Sequence, residues 1–294
     1  MINGFLLIDK APGWTSHDVV AKVRGIVRQK KVGHAGTLDP SATGLLVLGL
    51  GKATRLLRFI QAYPKEYVAR VMFGVATDTL DGDGAILHRE PMSFDEADLR
   101  GVIGRFVGVI AQVPPMVSAI RVGGRRLYEI AREGGEIERA ARTVEVYGID
   151  VLEFAPGPYP EATLRVRCGS GTYIRSLGAD LGQALGGEAH IGTLRRTRVG
   201  WMDADRDGVT IEQVVEAAPN YGVISMADGL KDLPAVHVDH KTSVAVRHGM
   251  QFPVGTFAAD APAETDVRVL DSGGDLLAVY RSRGLLWSPE VVIS

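Results

Sequence analysis

Residues 33–51 read GHAGTLDPSATGLLVLGLG, and no other stretch restricts the chain so strongly. A single carboxylate, Asp39, stands directly before Pro40, with glycines at 33, 36, 44, 49 and 51 around it and an apolar run behind. Burying a carboxylate is costly unless it is paired, and an exposed one needs no such setting. The ring of Pro40 disfavours the helical region for its predecessor and biases Asp39 to extended backbone. Gly33, Gly36 and Gly44, with Ala35 and Ala42, are expected to let a bulky ligand approach the main chain closely. The stretch reads as a carboxylate presented at the floor of a cleft. A plain Asx-Pro turn would use the same residues.

A chain of 294 residues is long enough for one large domain or two smaller ones. The net charge of −2 argues against a nucleic-acid partner, but its distribution does not. Residues 1–70 carry 11 Lys/Arg against 4 Asp/Glu, whereas residues 201–294 carry 7 against 14. A basic end beside an acidic one makes a local field that the total conceals, and that field attracts phosphates. No apolar run approaches the roughly eighteen residues of a membrane span. The start, MINGFLLIDK, lacks the basic region and cleavage site of a secretory signal. A lone cysteine, Cys168, excludes an internal disulfide framework and a multi-cysteine metal site. The expectation is a cytoplasmic protein with no membrane partner.

Along the chain, GFLLID is a short apolar run bounded by a turn, which predicts a buried strand. Thr15 and Asp18 have capping-box spacing, and Val19, Val20, Val23 and Val27 share one helical face. EYVARVMFGVAT places Tyr67, Ala69, Val71 and Phe73 opposite Val68, Arg70 and Met72, the alternation of a strand. From about 114 to 143 the period is lost. This segment opens on a Pro pair and carries 6 Arg between 121 and 142, which predicts a mobile functional loop. ATLRVRC alternates again, with Leu164, Val166 and Cys168 on one face, and Leu177, Leu181 and Leu185 then follow at helical spacing. After about residue 233, runs such as VAVR, VRVLD, LLAVYR and EVVIS between Gly, Pro and Asp turns predict a small β domain.

Several motif likenesses fail on inspection. TLDGDGAILHRE, residues 79–90, imitates a calcium loop, but Thr79 stands in the first ligand place and a strand pattern precedes it. A turn whose carboxylates cap backbone amides is expected there instead, leaving Asp78 to orient a partner. GLLVLGLGKAT lacks the lysine of a phosphate loop at Leu50, and Thr54 replaces the third glycine of a dinucleotide pattern. Ser170 lacks the flanking glycines of a nucleophile elbow. His237 and His240 have no ligand partners at zinc spacing. No metal and no cofactor is expected. GTYIR, 171–175, lies where a strand turns into a helix and offers a ring at Tyr173 and a guanidinium at Arg175. An arginine beside an aspartate holds it ionised, and a ring can stack on a base.

Taken together, GHAGTLDPSATGLL, GFLLIDK…GWTSHDVV, KEYVARVMFG…TDTLDGDG, VPPMVSAIRVGGRRLYEIAREG, GTYIRSL and HIGTLRRTRVG resemble the bacterial tRNA pseudouridine-55 synthases of the TruB family. The resemblance covers most of the chain and fades over the last sixty residues. It implies an α+β fold with a mixed, largely antiparallel central sheet, helices and a thumb insertion at about 114–143. It also implies a catalytic domain over 1–232 and a small β-rich, PUA-like RNA-binding domain over 233–294.

Residue by residue, Asp39 matches the family's essential aspartate, and Tyr67 matches the tyrosine that stacks on the target uracil. Arg175 matches the arginine paired to the aspartate. Tyr173 and Leu194 match residues lining the uracil pocket, and His34 a histidine that enters the folded RNA loop. Lys10 matches a lysine near the site. Relatives read Lys-Pro-X-Gly where this chain has Lys10-Ala11-Pro12-Gly13, so the turn holding Lys10 is expected to differ. Relatives often carry a lysine where this chain has Ser170, which removes one phosphate contact. The implied activity is isomerisation of uridine to pseudouridine in the tRNA T-loop, by a monomer whose partner is the T-arm. The alternatives are a non-catalytic tRNA-folding chaperone and a synthase acting on another RNA.

Overall fold

The computed structural model describes residues 1–118, 121–122, 125–126, 135, 137–257 and 264–293. The principal strands are β1 (Gly4–Lys10), β2 (Val32–His34), β3 (Thr43–Leu50), β4 (Lys65–Phe73), β5 (Gly108–Gln112), β6 (Arg142–Ala155), β7 (Glu161–Cys168) and β8 (Ala189–Val199). A later set comprises β9 (Ala235–His237), β10 (Phe252–Pro253), β11 (Asp266–Leu270), β12 (Leu276–Arg283) and β13 (Leu286–Val292). The longer helices are α1 (Ser16–Val27), α2 (Glu96–Ile103), α3 (Ile174–Ala184) and α4 (His240–Arg247). The fold class is α+β. The chain divides into two compact units, Met1–Asp39 with Leu45–Ala62 and Gly200–Ser294, and Pro40–Gly44 with Tyr63–Val199.

In the first unit, β1 lies beside β3, and β2 pairs antiparallel with β3 from Val32↔Leu50 to His34↔Leu48. The run Phe5 to Ile8 and the run Leu45 to Leu48 are both buried, as uninterrupted apolar strands must be. Helix α1 begins where the sequence signals it. The Thr15 hydroxyl accepts from the Asp18 amide, the Asp18 carboxylate accepts from the Thr15 amide, and the four valines are buried.

The same unit contains a five-stranded sheet in the order β9-β11-β12-β13-β10. Its core packs Phe257 against Tyr280 and Trp287, with ring centroids 5.5 and 5.7 Å away. One expected strand is a helix: Val244–Arg247, the VAVR run, falls in α4. The Asp239 carboxylate caps the Thr242 amide there, and Ser243 and Val246 are buried three residues apart while Val244 faces solvent. Helical spacing outweighs a two-residue alternation in so short a run.

The second unit is built on a mixed, largely antiparallel sheet. β8 pairs parallel with the first residues of β3, then the order runs β8-β4-β7-β6-β5 by antiparallel ladders. One face carries Ala69, Val71, Phe73, Ala162, Leu164, Val166 and Cys168, covered by Ile174, Leu177 and Leu181 of α3 and Leu99 of α2. The alternations read from β4 and β7 hold throughout. Of the expected thumb, two-residue strands Arg121–Val122 and Arg125–Arg126 pair with each other, while residues 119–120, 123–124, 127–134 and 136 lie outside the described residues. Among the described residues, no helix is long and apolar enough to cross a membrane.

Four small residues of the opening stretch pack against the protein itself. Ala35 and Ala42 are buried. A Cβ on Gly33 would lie 3.1 Å from the Leu57 side chain. Gly44 has φ +95°, and a Cβ there would lie 2.3 Å from the Arg196 carbonyl oxygen, where Gly44 meets Arg196 in the parallel β3–β8 pair. Gly44→Ala combines that overlap with a left-handed backbone. It is expected to destabilise the protein by about 2–4 kcal/mol in urea unfolding; a change within the error of the parent would remove the close-approach account.

Candidate active site

In the first unit, the residues around Asp39 are held by main-chain contacts. The Leu38 amide donates to Ser16 Oγ at 2.8 Å, and Ser16 Oγ donates to the Leu38 carbonyl at 3.1 Å. One buried hydroxyl at the start of α1 thus grips both sides of the residue before Asp39. Asp39 itself is half-buried. Upstream, the Ala35 amide donates to the Val47 carbonyl, so β2 and β3 hold the loop's entry, and Gly36 takes φ +107°. His34, half-buried at the end of β2, meets His17 of α1 edge to face with ring centroids 5.5 Å apart.

Lys10 ends β1 and is 1 % exposed. Its ammonium donates to the Ala11 carbonyl at 3.0 Å and the Trp14 carbonyl at 2.8 Å. The turn Ala11-Pro12-Gly13 closes around that nitrogen, with Gly13 at φ +84°. A buried charge needs such acceptors. Lys10 therefore shapes the segment leading into α1.

The second unit carries Tyr67, Tyr173, Arg175 and Leu194. Tyr67 on β4 pairs with Val166 on one side and Arg196 on the other, and Leu194 on β8 pairs with Ala69. Both side chains pack against the core face of the sheet. Tyr173 precedes α3. Its amide donates to Gln112 Oε1 at 2.7 Å and its carbonyl accepts from Gln112 Nε2 at 2.9 Å. This buried amide at the end of β5 fixes the entry to the helix.

Arg175, in the first turn of α3, is 5 % exposed. Its Nη1 donates to the Thr79 carbonyl at 2.9 Å and to Asp81 Oδ2 at 3.2 Å, and its Nη2 to the Val117 carbonyl at 2.7 Å. A planar guanidinium held on both terminal nitrogens has little rotational freedom.

Asp81 is the residue the sequence reading missed. The calcium-like spacing drew attention to its loop, but the orienting role fell to Asp78. In the structure Asp78 Oδ1 accepts from the Ala85 amide, and Asp81 faces Arg175. Asp81 also accepts from the Asp83 amide and the Thr79 hydroxyl. The loop docks on β8 through the Gly82 amide to the Ile191 carbonyl and the Ile191 amide to the Leu80 carbonyl, and Leu80 takes φ +61°. The motif that imitates a cation loop is an internal brace. Ser16 and Gln112 were missed as well, and nothing local could have found them, since their partners lie 22 and 61 residues away. Among the described residues, no group of three or more His, Cys, Asp or Glu could hold a metal ion.

Near Tyr67 on the same strand, Lys65 is buried, and its ammonium is pushed down to about 8, first by burial and then by the Arg196 guanidinium. Opposite it in the ladder, the Cys168 thiol is pushed up to about 11 by burial. Burial shifts both groups toward their uncharged forms.

Two family models match the chain. One, described as TruB family pseudouridylate synthase (N terminal domain), spans residues 24–174; the other, tRNA pseudouridylate synthase B C-terminal domain, spans 175–224. Relatives named tRNA pseudouridine synthase B include one from Ralstonia nicotianae, 41 % identical over 99 % of this chain and 94 % of its own length. One from Thermobifida fusca is 42 % identical over 100 % of this chain and 99 % of its own. Among solved structures, a chain of a Cbf5-Nop10-Gar1 complex superposes with a TM-score of 0.78 at 30 % identity, covering 98 % of this chain and 84 % of that one. A chain of an H/ACA RNP bound to a substrate RNA containing 2'-deoxyuridine gives 0.76 at 28 % identity, covering 99 % and 85 %.

Removing one partner of a buried ion pair leaves the other uncompensated. Asp81→Ala is therefore expected to cost about 2–4 kcal/mol in urea unfolding, and Asp81→Asn less, because its amide oxygen still accepts; parent-like stability of Asp81→Ala would refute the brace. The Lys65 shift gives a pH dependence of definite sign. Its folded value of about 8 lies below the ordinary 10.5, so the unfolded chain binds more protons between those pH values and stability rises with pH there. Relative to Lys65→Met, the parent should gain on the order of 2 kcal/mol from pH 8 to pH 10. A difference flat with pH would contradict the burial of that amine.

Proposed function

The chain belongs to the TruB family of pseudouridylate synthases, and we propose on that premise that it isomerises uridine to pseudouridine in tRNA, at position 55 of the T-loop. The observation that carries this is the match over 99 % of the chain, at 41 % identity, to a tRNA pseudouridine synthase B. The reaction breaks the bond from ribose C1′ to uracil N1, turns the base and forms a bond from C1′ to C5. C5 gives up its proton and the freed N1 takes one up, so the product is an isomer of the substrate and nothing is oxidised.

Asp39 supplies the reacting carboxylate. It attacks the sugar, adds to the base or removes a sugar proton, and each route needs the ionised form. Arg175 is the residue assigned to hold that charge in direction. Tyr67 stacks on the extruded uracil, with Tyr173 and Leu194 lining its pocket. His34 fills the space that the nucleotide leaves in the RNA loop, and Lys10 holds the segment beside the site. Extrusion costs roughly a few kcal/mol, which stacking on aromatic rings at roughly 1–3 kcal/mol each offsets.

Support for these roles comes from the bracing of the peptide before Asp39 by Ser16 and from the fixed guanidinium of Arg175. Residues 1–232 form the catalytic domain and 233–294 a PUA-like RNA-binding domain. The latter is tied within the first unit by Arg58 to Glu290 at 2.9 Å and by Arg55 to the Val292 carbonyl at 2.8 Å. The protein works as a monomer in the cytoplasm, where its tRNA substrate is found.

The test is tritium release from C5-labelled uridine in an unmodified T-arm hairpin. The parent should release it, and Asp39→Asn should release none while still binding the RNA. Release by the variant at the parent rate would refute the role of Asp39, and a parent that binds without releasing would be an RNA-folding chaperone. Tyr67→Phe should keep RNA affinity and turn over about 10²-fold more slowly; lost affinity with unchanged turnover of bound RNA would overturn its part.

A further inference from the structure

A second feature of the first unit points to RNA, away from the residues assigned above. At the far end of α1 from its capping box, Arg24, Gly25, Arg28, Gln29 and Lys30 line an open concavity of about 490 Å³. Three of the five residues are cations, and no carboxylate lines it. Gly25 forms an uncovered patch of wall, since a Cβ there would meet nothing within 4 Å. Among the described residues, the side chains of Arg28 and Lys30 make no hydrogen bond or ion pair, and both are exposed.

The loop that carries these cations is rigidly built. Gln29 reaches across to the segment before β1, where its Oε1 accepts from the Ile2 amide at 2.9 Å and its Nε2 donates to the Ile2 carbonyl at 3.0 Å. Arg24 Nη2 donates to the Val32 carbonyl at 2.7 Å. The helix is closed by Arg28 itself, at φ +51° and ψ +42°. That left-handed conformation favours glycine and strains any residue with a Cβ. Cations at a helix C-terminus are ordinary companions of its dipole. The dipole does not explain, however, why a residue that glycine would replace at lower cost is an arginine projecting over a basic hollow.

We propose that this hollow is a phosphate-binding subsite for the backbone of the RNA substrate, with Arg28 and Lys30 as its two contacts and Arg24 as its wall. The proposal rests on the tRNA reading above. Lys30 is four residues from His34, so at most about 14 Å of extended chain separates the subsite from the residue assigned to the RNA loop. Each backbone phosphate engaged releases condensed counterions, so such contacts show in the salt dependence of binding and carry no base specificity.

The test uses the full chain with Arg28→Gly and Lys30→Gln, singly and together. Hairpin binding is followed from about 50 to 200 mM salt, with tritium release at saturating RNA and the thermal midpoint measured alongside. The double variant should bind about 5–10-fold more weakly at low salt, and its log K against log salt slope should be shallower by about 1.5, close to 0.7–0.9 per phosphate. Release at saturating RNA should match the parent, and Arg28→Gly alone should melt at or above the parent temperature. An unchanged affinity and slope would overturn the subsite, as would a lowered midpoint for Arg28→Gly, which would make Arg28 a structural closure. A parent that binds the hairpin but releases no tritium would refute the isomerase reading instead, and the salt slopes would still decide the subsite.

Discussion

The contact between Gly44 and the backbone of Arg196 sets how β3 and β8 can pair. Two strands approach there so closely that no side-chain atom fits between them. The segment Pro40–Gly44, which follows Asp39 directly, belongs with the second unit, and the peptide that precedes Asp39 is gripped by Ser16 in the first. The two Ser16 bonds restrain the peptide from which Asp39 follows, and a fixed main chain is the first condition for presenting a reacting group in a set direction.

Much of the fold was legible because its signals are local. The capping box at Thr15 and Asp18, the four valines of α1 and the alternations of β4 and β7 each sit within a few residues of chain, and each describes the structure. VAVR misled because four residues cannot separate a period of two from one of three or four, and the cap at Asp239 decided for helix. Gly44 was recognised as special for a different reason from the one the structure gives. A missing Cβ looks the same in sequence whether it admits a ligand or a neighbouring strand, and only the position of the Arg196 carbonyl distinguishes the two.

The candidate site was legible in a different way. Its residues were named by resemblance to a family, and the residues that hold them were not named at all. Gln112, Ser16 and Asp81 each bond a segment distant in sequence, and no local spacing announces such a partner. Asp81 came nearest, because its loop has the spacing of a cation site. Carboxylates that cap amides and carboxylates that bind calcium can share a loop spacing, and in this chain the positive charge that Asp81 faces is Arg175.

One small feature sets what can be done with the molecule in the laboratory. The whole sequence holds a single sulfhydryl, at Cys168, and it is sealed inside the second sheet with its proton held to about 11. Thiol reagents attack the deprotonated, accessible form, so the folded protein offers them no target at neutral pH. A cysteine placed at any exposed position would then be the sole point of attachment for a dye or a crosslinker, with no native residue to remove first.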